Sequence, residues 1–524
     1  MTPIADPVAP EGSASIPGMH LHHHGAERGS SCTAWLGAGP LARWILAACA
    51  ACAVGACNNA ESTTAPGTPG VLAVVTVAPA GLTLAAGGTL QLWVTPTDST
   101  GLVIQGLQTI WSSSDTTIAT VSSTGFVNSV APGSVTITAT TSRPLGEGGG
   151  QTMVGTAPIT FAEFTLGSVS AGDGAAGLAC GLSAGGAAYC WGDNSRAELG
   201  TKDTTNFSGS STPTSLGAGL TFTATSVGSD FACAVTAAHA AYCWGNNSVG
   251  ELGTGLTSVH STPVAVTGGL SFTSVSAGGG FACGVAAAGA AYCWGAGAAG
   301  QLGNGASTAN ASPVAVAGGL QFATVSAGTG TACGVTTAAA AYCWGDNSYG
   351  QLGNGTMTGS AVPVAVSGGL TWAAISVGNG FVCGLSVARA AYCWGDDTYG
   401  ELGTTTVAAS TTPVAVAGGL TFAQLSAGGI FACGLAPNGV AYCWGDNSSG
   451  ELGTGTTTGS PTPVVVGATL AGGIRFSALT AGSDAACGVA AAGVFCWGDN
   501  ISGQLGAGPI GPYSSTPLKV LGQP

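Results

Sequence analysis

Two histidines, His239 and His260, are the only ones beyond residue 57 in this 524-residue chain, and they stand 21 residues apart. A Ser-His-Asp relay needs a base beside an activated nucleophile, and neither histidine lies in a recognisable nucleophile motif. There is no GxxxxGK[ST] phosphate loop and no HExxH zinc helix, so no cofactor is expected. The Gly-x-Gly strings follow from having 91 glycines and carry no information. Catalytic residues are therefore expected to be none, with both histidines in exposed turns. An enzyme whose site lies in a central channel is the alternative.

Acids are placed more regularly. Ten of the 14 acids from Asp173 onward fall in recurring WGxNxxGxLG loops: Asp193, Glu198, Glu251, Asp346, Asp396, Asp397, Glu401, Asp446, Glu451 and Asp499. Brought to one side, they would form a rim able to hold Ca²⁺ or attract a basic partner, or would simply cap turns and keep the surface solvated. Turn capping is the expectation, and no metal site is assigned. Side chains that break the repeat, namely Arg196, Tyr349, Trp372, Arg389 and Tyr399, are the candidate binding contacts, because Arg and aromatics dominate binding hot spots.

The elements that must position these residues follow from the spacing of the Cys-Trp-Gly triplets. These begin at Cys190, Cys243, Cys293, Cys343, Cys393, Cys443 and Cys496, at intervals of 53, 50, 50, 50, 50 and 53 residues. A period near 50 marks a solenoid, a propeller or an array. Each unit reads as four short strands, as in PVAV, QFATVSA, TACGV and AAYCW between residues 313 and 344. Such strands with Gly-rich turns fit propeller blades, which bury both faces only when neighbours stack on them. The PVAV-type strands each follow a Cys-Trp-Gly, which leaves the first blade without one upstream. Residues 517–520, PLKV, are expected to pair into the first blade and close a seven-bladed ring without open edges.

Cysteine arithmetic agrees with seven units. Of 18 Cys, Cys32, Cys49, Cys52 and Cys57 precede the repeats, leaving two per blade. The pairs are Cys180/Cys190, Cys233/Cys243, Cys283/Cys293, Cys333/Cys343, Cys383/Cys393, Cys433/Cys443 and Cys487/Cys496. A hairpin sets such partners opposite each other at a separation that a disulfide tolerates. Each bridge closes a loop of about eleven residues, worth roughly 2–3 kcal/mol on the loop-entropy model. Paired thiols acting as small hydrophobes are the alternative, and two opposed Cys are too few for structural zinc.

The segment from Trp344 to Gly353, WGDNSYGQLG, with WGDNSSGELG from Trp444 and WGDNISGQLG from Trp497, resembles the regulator of chromosome condensation repeat. That resemblance implies a seven-bladed propeller over residues 163–522. Blade three departs from it, with Ala296-Gly297 in place of Asp-Asn, and is expected to lose a side-chain cap. The family's eukaryotic founder is a nucleotide exchange factor for a nuclear GTPase; an exported chain would not meet that GTPase, so exchange by analogy is the weakest functional reading. A secreted bacterial relative inhibits β-lactamase through its propeller loops, which illustrates loop-mediated binding.

Upstream, residues 71–162 alternate apolar and polar residues with the period of two of half-buried strands. Six or seven strands without Cys imply an antiparallel sandwich of immunoglobulin type, with Leu92, Val94, Trp111, Ile118, Val121, Val135 and Ile137 in its core. The run from Trp111 to Asp115, then Ile118 to Val121 and Ala131 to Ile137, resembles the group 2 bacterial immunoglobulin-like domain, which implies a stalk or adhesive module. Residues 58–70 read as a flexible linker. Leu41 to Ala56 is too short and too interrupted by Arg43 to span a bilayer and reads as a signal-peptide core. Its end, Val54-Gly55-Ala56-Cys57, resembles a lipobox, which implies lipid attachment at Cys57 and export to the cell envelope; a secretory signal cut elsewhere is the alternative. Met19 as the true start would shorten the long leader that carries His20, His22, His23 and His24.

Composition narrows the partners. Charged residues make up 6% of the chain, with 8 Lys+Arg against 22 Asp+Glu and a net charge of −14. Phosphate backbones call for clustered cations, so nucleic acid is excluded as a partner. The expected product is an all-β, monomeric, exported binding or adhesion scaffold that takes a protein or glycan.

Overall fold

The computed structural model describes residues 71–86, 89–142, 151–172, 177–201, 209–216, 219–405, 409–470 and 472–523. The leader, Cys57 and the linker 58–70 lie outside the described residues. What is described is all-β, with no helix.

The first module, 72–162, is a sandwich. One sheet places Leu82–Ala85, Thr152–Ala162, Gly133–Ser142 and Gln108–Ser113 side by side, and facing it are the pair Leu72–Ala78 with Trp93–Asp98 and a three-stranded sheet, 89–129. Alternation drives the packing. Val135, Ile137 and Ala139 point inward from one strand and meet Ala157, Ile159 and Phe161 from the next, with Leu92 and Val127 opposite. Val94, Trp111, Ile118 and Val121 pack against this core at its edge. One pairing departs from the antiparallel expectation: Leu82–Ala85 runs parallel to the end of Thr152–Ala162.

Seven four-stranded antiparallel sheets follow, spanning 166–215, 224–265, 272–315, 322–365, 372–415, 424–465 and 476–519. In blade four the strands are Phe322–Ala327, Thr331–Thr336, Ala341–Gly345 and Ser360–Ala365, in that spatial order. The first strands touch one another around the ring and are therefore innermost.

The expected exchange of the last strand into the first blade does not occur. Tyr513–Lys519 pairs with Gly493–Asp499 in its own, seventh blade. After each Cys-Trp-Gly the chain turns through the WGxN loop and returns antiparallel to the strand it has just left, so that Tyr342 faces Ala365 and Cys343 faces Val364. A local return of this kind spares the closure entropy of a contact across the whole ring.

Closure is achieved by contacts repeated at every blade boundary. The hydroxyl of Ser326 on the innermost strand of blade four accepts the backbone N–H of Val377 in blade five at 3.1 Å. Ser170, Ser226, Ser276, Ser376 and Ser426 do the same for their next blades. Thr480 of blade seven completes the circle on Ala171 of blade one. Beside these hydroxyls stands a ring of glycines, from Gly172 through Gly328 to Gly482, at each of which a Cβ would run into the carbonyl oxygen of the corresponding glycine next door. The tail adds a bridge at the seam: Gln523 Oε1 accepts the N–H groups of Val494 in blade seven and Leu166 in blade one, at 3.0 and 3.4 Å.

Candidate functional site

The WGxN loops are held at both ends and free in the middle. In blade four, Asn347 Oδ1 accepts the Leu352 N–H at 2.8 Å while its Nδ2 donates to the carbonyls of Thr356 and Thr358, both at 3.0 Å. Gln351 Oε1 accepts the N–H of Tyr349 at 2.9 Å. The Gln351 carbonyl, in turn, accepts the buried indole N–H of Trp394 in blade five at 2.9 Å. Equivalent indole bonds join every neighbouring pair of blades, and Trp191 to Gln504 spans the seam. Leu352, fully buried, anchors the loop from below.

What remains outside includes a variable position two residues before the Glu or Gln. Arg196, Val249, Ala299, Tyr349, Tyr399, Ser449 and Ser502 occupy it, and the two tyrosines are 50% and 51% exposed. All lie at the same end of their blades, so the ring presents them on one face. Tyr349 leans over Gly380 of blade five, where a Cβ would sit 3.3 Å from its ring. Arg196 reaches the next blade too, with Nε 3.7 Å from Asp230 Oδ2.

Two of the five sequence-derived contacts are not on this face. Trp372 is 2% exposed and occupies the phenylalanine position at the start of an innermost strand, with its ring 5.5 Å from that of Trp394. Gly384 on the neighbouring strand leaves room for the larger indole, since a Cβ there would strike it. Arg389 sits at the hairpin tip between the second and third strands, at the opposite end of the blade, with φ at 66°. Its Nη1 donates to the Ala423 carbonyl of blade six at 3.1 Å, making it a staple between blades.

The histidines are separated in the same way. His239 is at a hairpin tip with Nδ1 3.2 Å from the Phe272 carbonyl of blade three. His260 pairs with Gly245 at the other end of its blade, its Nε2 3.2 Å from Ser258 Oγ. They share no site. Among the described residues no three His, Cys, Asp or Glu side chains are grouped to hold a metal ion.

The cysteines stand opposite one another on the second and third strands and are joined in seven disulfides, from Cys180–Cys190 to Cys487–Cys496, with Cα separations of 4.0 to 4.1 Å. Blade three keeps a cap despite its Ala296-Gly297, because Gln301 Oε1 still accepts the Ala299 N–H at 2.9 Å. What it lacks is the asparagine, whose place is taken by the backbone at Thr308 closing over Gly297.

The sequence reading missed the paired roles of the Glu/Gln position. Glu198, Glu401 and Glu451 are almost fully buried, and burial pushes each carboxyl up to about 7. The signal was present as [GA][QE]LG with Asp or Asn five residues before the Glu or Gln.

Models of the regulator of chromosome condensation repeat match residues 239–285, 288–335, 340–385 and 438–489, and a second model of the same repeat matches 222–251, 322–351 and 422–451. The bacterial Ig-like domain (group 2) matches 72–149. The chain carries a bacterial Ig-like domain (group 2) followed by regulator of chromosome condensation repeats. Solved structures with the propeller fold include human WBSCR16, at TM-score 0.57 and 19% identity over 64% of this chain and 93% of that one. Prp20p from Saccharomyces cerevisiae, in a structure titled for its binding to Gsp1p and histones, aligns at 0.57 and 20% over 68% and 87%. Yeast RCC1 (Prp20) bound to Kap60 aligns at 0.56 and 19% over 68% and 85%. At this identity the likeness is one of fold. No curated protein matches the chain.

Proposed function

We propose that this protein is an exported, lipid-anchored scaffold that binds a protein or glycan ligand through the WGxN face of its propeller, without catalysis. The observation that carries the reading is the contrast within the loops: the backbone anchors recur, with the asparagine replaced only in blades three and five, while the position two residues before the Glu or Gln varies and includes Arg196, Val249, Tyr349 and Tyr399. Recurrent anchors make a rigid frame, and rigid aromatic side chains on such a frame bind at small cost in conformational entropy.

The channel wall points the same way. The innermost strands, LGSVSA, ATSV, FTSVSA, FATVSA, WAAISV, QLSA and FSALTA, carry no titratable side chain. General acid–base chemistry needs such groups within hydrogen-bond reach of a substrate. Seven disulfides suit an oxidising compartment outside the cytosol, and attachment through Cys57 would tether the Ig-like domain and the ring to the envelope.

A photocrosslinking residue at Tyr349 or Tyr399, set against one at Arg389 on the far end of the blade, tests the face on intact cells expressing the full chain. Adducts from the first two positions alone are expected. Equal labelling from Arg389, or none from any position, would overturn the assignment. Cys57→Ser should release the protein from the membrane fraction. The exchange reading, by analogy with Prp20p, predicts faster nucleotide release from a small GTPase and would displace this one if that were measured.

A further inference from the structure

Six of the seven WGxN loops place a Glu or Gln five residues after an Asp or Asn, and the pairing of the two positions follows a chemical rule. In two loops Asp meets Gln: Gln351 Nε2 donates to Asp346 Oδ2 at 2.7 Å, and Gln504 Nε2 to Asp499 Oδ2 at 2.6 Å. In one loop the roles are reversed, and Asn246 Nδ2 donates to Glu251 Oε1 at 3.0 Å. Blade three has Ala296 and forms no pair. Each paired loop so far supplies one donor and one acceptor.

Three loops break the rule by pairing two acids: Asp193 with Glu198, Asp396 with Glu401, and Asp446 with Glu451. In each, the Glu Oε2 accepts the N–H two residues before it, at 2.8 to 2.9 Å, as in every other loop. The second oxygen has no amide to meet. Glu198 Oε1 is buried with no hydrogen-bond partner. A buried acceptor left facing another carboxylate is costly, and like charges in one site cannot both ionise freely.

We propose that each of these three buried Glu carboxyls carries a proton, turned toward the Asp five residues upstream, and that this proton does the work the Gln amide does in the neighbouring loops. The surrounding charges agree. Glu198 is faced by Asp193, by Asp230 of the next blade and by Arg196, which is paired to Asp230. Glu401 is faced by Asp396 and Asp397, while the adjoining turn of blade six, Gly428-Gly429-Ile430, is uncharged. Glu451 is faced by Asp446 and by Asp484 of the next blade, itself close to Asp499. Acids thus outnumber the single cation, and burial holds the Glu carboxyls near 7.

The proton has a mechanical consequence. The carbonyls of Glu198, Glu401 and Glu451 accept the indole N–H groups of Trp244, Trp444 and Trp497 in the next blades, all at 2.8 Å. Losing the proton sets a buried carboxylate against the half-buried Asp carboxylate at the residue that holds the neighbouring blade. Three of the seven boundaries therefore tighten in mildly acidic medium and loosen as it turns alkaline. The native state keeps protons that the unfolded chain releases at the usual Glu value of 4.5, so stability falls as pH rises between these two points and levels off above the higher one.

The test uses the full chain and its triple variant Glu198→Gln, Glu401→Gln, Glu451→Gln, each Gln being native to other blades at the same position. Infrared spectra at about pH 6 should show the carbonyl stretch of protonated carboxyl in the wild type and its loss in the triple variant. Denaturant titrations should show the wild-type unfolding constant rising by up to about tenfold per pH unit for each pair between about pH 5 and pH 7, with a shallower slope in the variant. Gln351→Glu should add a further protonated carboxyl against Asp346, and Asp446→Asn should remove one. Equal pH slopes in wild type and triple variant, or no protonated band sensitive to these substitutions, would overturn the proposal. So would a slope abolished by chelator, which would make the shared ligand a metal cation.

Discussion

Thr480 in the seventh blade accepts the backbone N–H of Ala171 in the first through its hydroxyl, 3.4 Å away, and so completes a circle otherwise made by serines. It is the one boundary where the two strands are separated by almost the whole ring in sequence, yet the contact has the same form as at the other six. Closure is thus a repeated side-chain bond rather than a special event of the last strand.

Removing one member of this circle should cost stability and leave the fold intact. Ser326→Ala strands the Val377 N–H between blades, and a buried unsatisfied donor costs about 1–3 kcal/mol. Ser326→Thr, by analogy with Thr480, should recover most of that loss in denaturant titrations.

The glycine beside each hydroxyl makes a sharper prediction. Gly328→Ala pushes a methyl against the Gly378 carbonyl, backbone against backbone, and is expected to destabilise by about 1–3 kcal/mol or more. Gly330→Ala, two residues on, finds ordinary contact at 3.6 Å and should be nearly neutral. Thermal unfolding of the two variants side by side distinguishes a wedge from a general dislike of alanine in the turn.

Asp397 stands where five other blades have asparagine, and burial raises its carboxyl above the usual 3.8. Its Oδ1 accepts the Leu402 N–H at 2.8 Å, as the asparagines do, but it has no amide to donate. Asp397→Asn is expected to stabilise by about 1 kcal/mol at neutral pH. A raised carboxyl weakens the fold above its unfolded value and not below it, so the gain should vanish in acid. Unfolding midpoints at neutral and strongly acidic pH give the comparison.

Ala339 occupies a hairpin tip with φ at 61°, where blades three and six have Gly289 and Gly439. A left-handed conformation costs a residue with a Cβ roughly 1–2 kcal/mol relative to glycine. Ala339→Gly should therefore raise the unfolding midpoint, which reverses the usual effect of adding a glycine.

Much of the architecture could be read from period and composition. Spacing near 50 residues with four strand-like runs implied blades, alternation in residues 71–162 implied a sandwich, and Cys residues ten apart implied facing positions on a hairpin. Periodicity, however, fixes the length of a repeat and not where a blade begins, and PVAV was assigned to the blade after it instead of the blade before. Hydropathy also could not separate Trp372, sunk into a space left by Gly384, from an exposed aromatic such as Tyr349. Arg389 lies at the opposite end of its blade, because its end of the strand, not its residue type, decides which face it serves. The hydroxyl circle was visible as a Ser or Thr two residues before each ring glycine, but its meaning depends on a neighbour 50 residues away.

Every blade is assembled from consecutive strands and every boundary uses the same hydroxyl and indole bonds, to which the point where Phe164 enters and Gly522 leaves adds a 3.2 Å hydrogen bond and the Gln523 bridge. The polypeptide can be cut at any of the other six junctions and its old ends spliced, and such circular permutants should still assemble. An ancestral gene could likewise gain or shed a whole sector in one in-frame recombination, with no strand orphaned at either breakpoint.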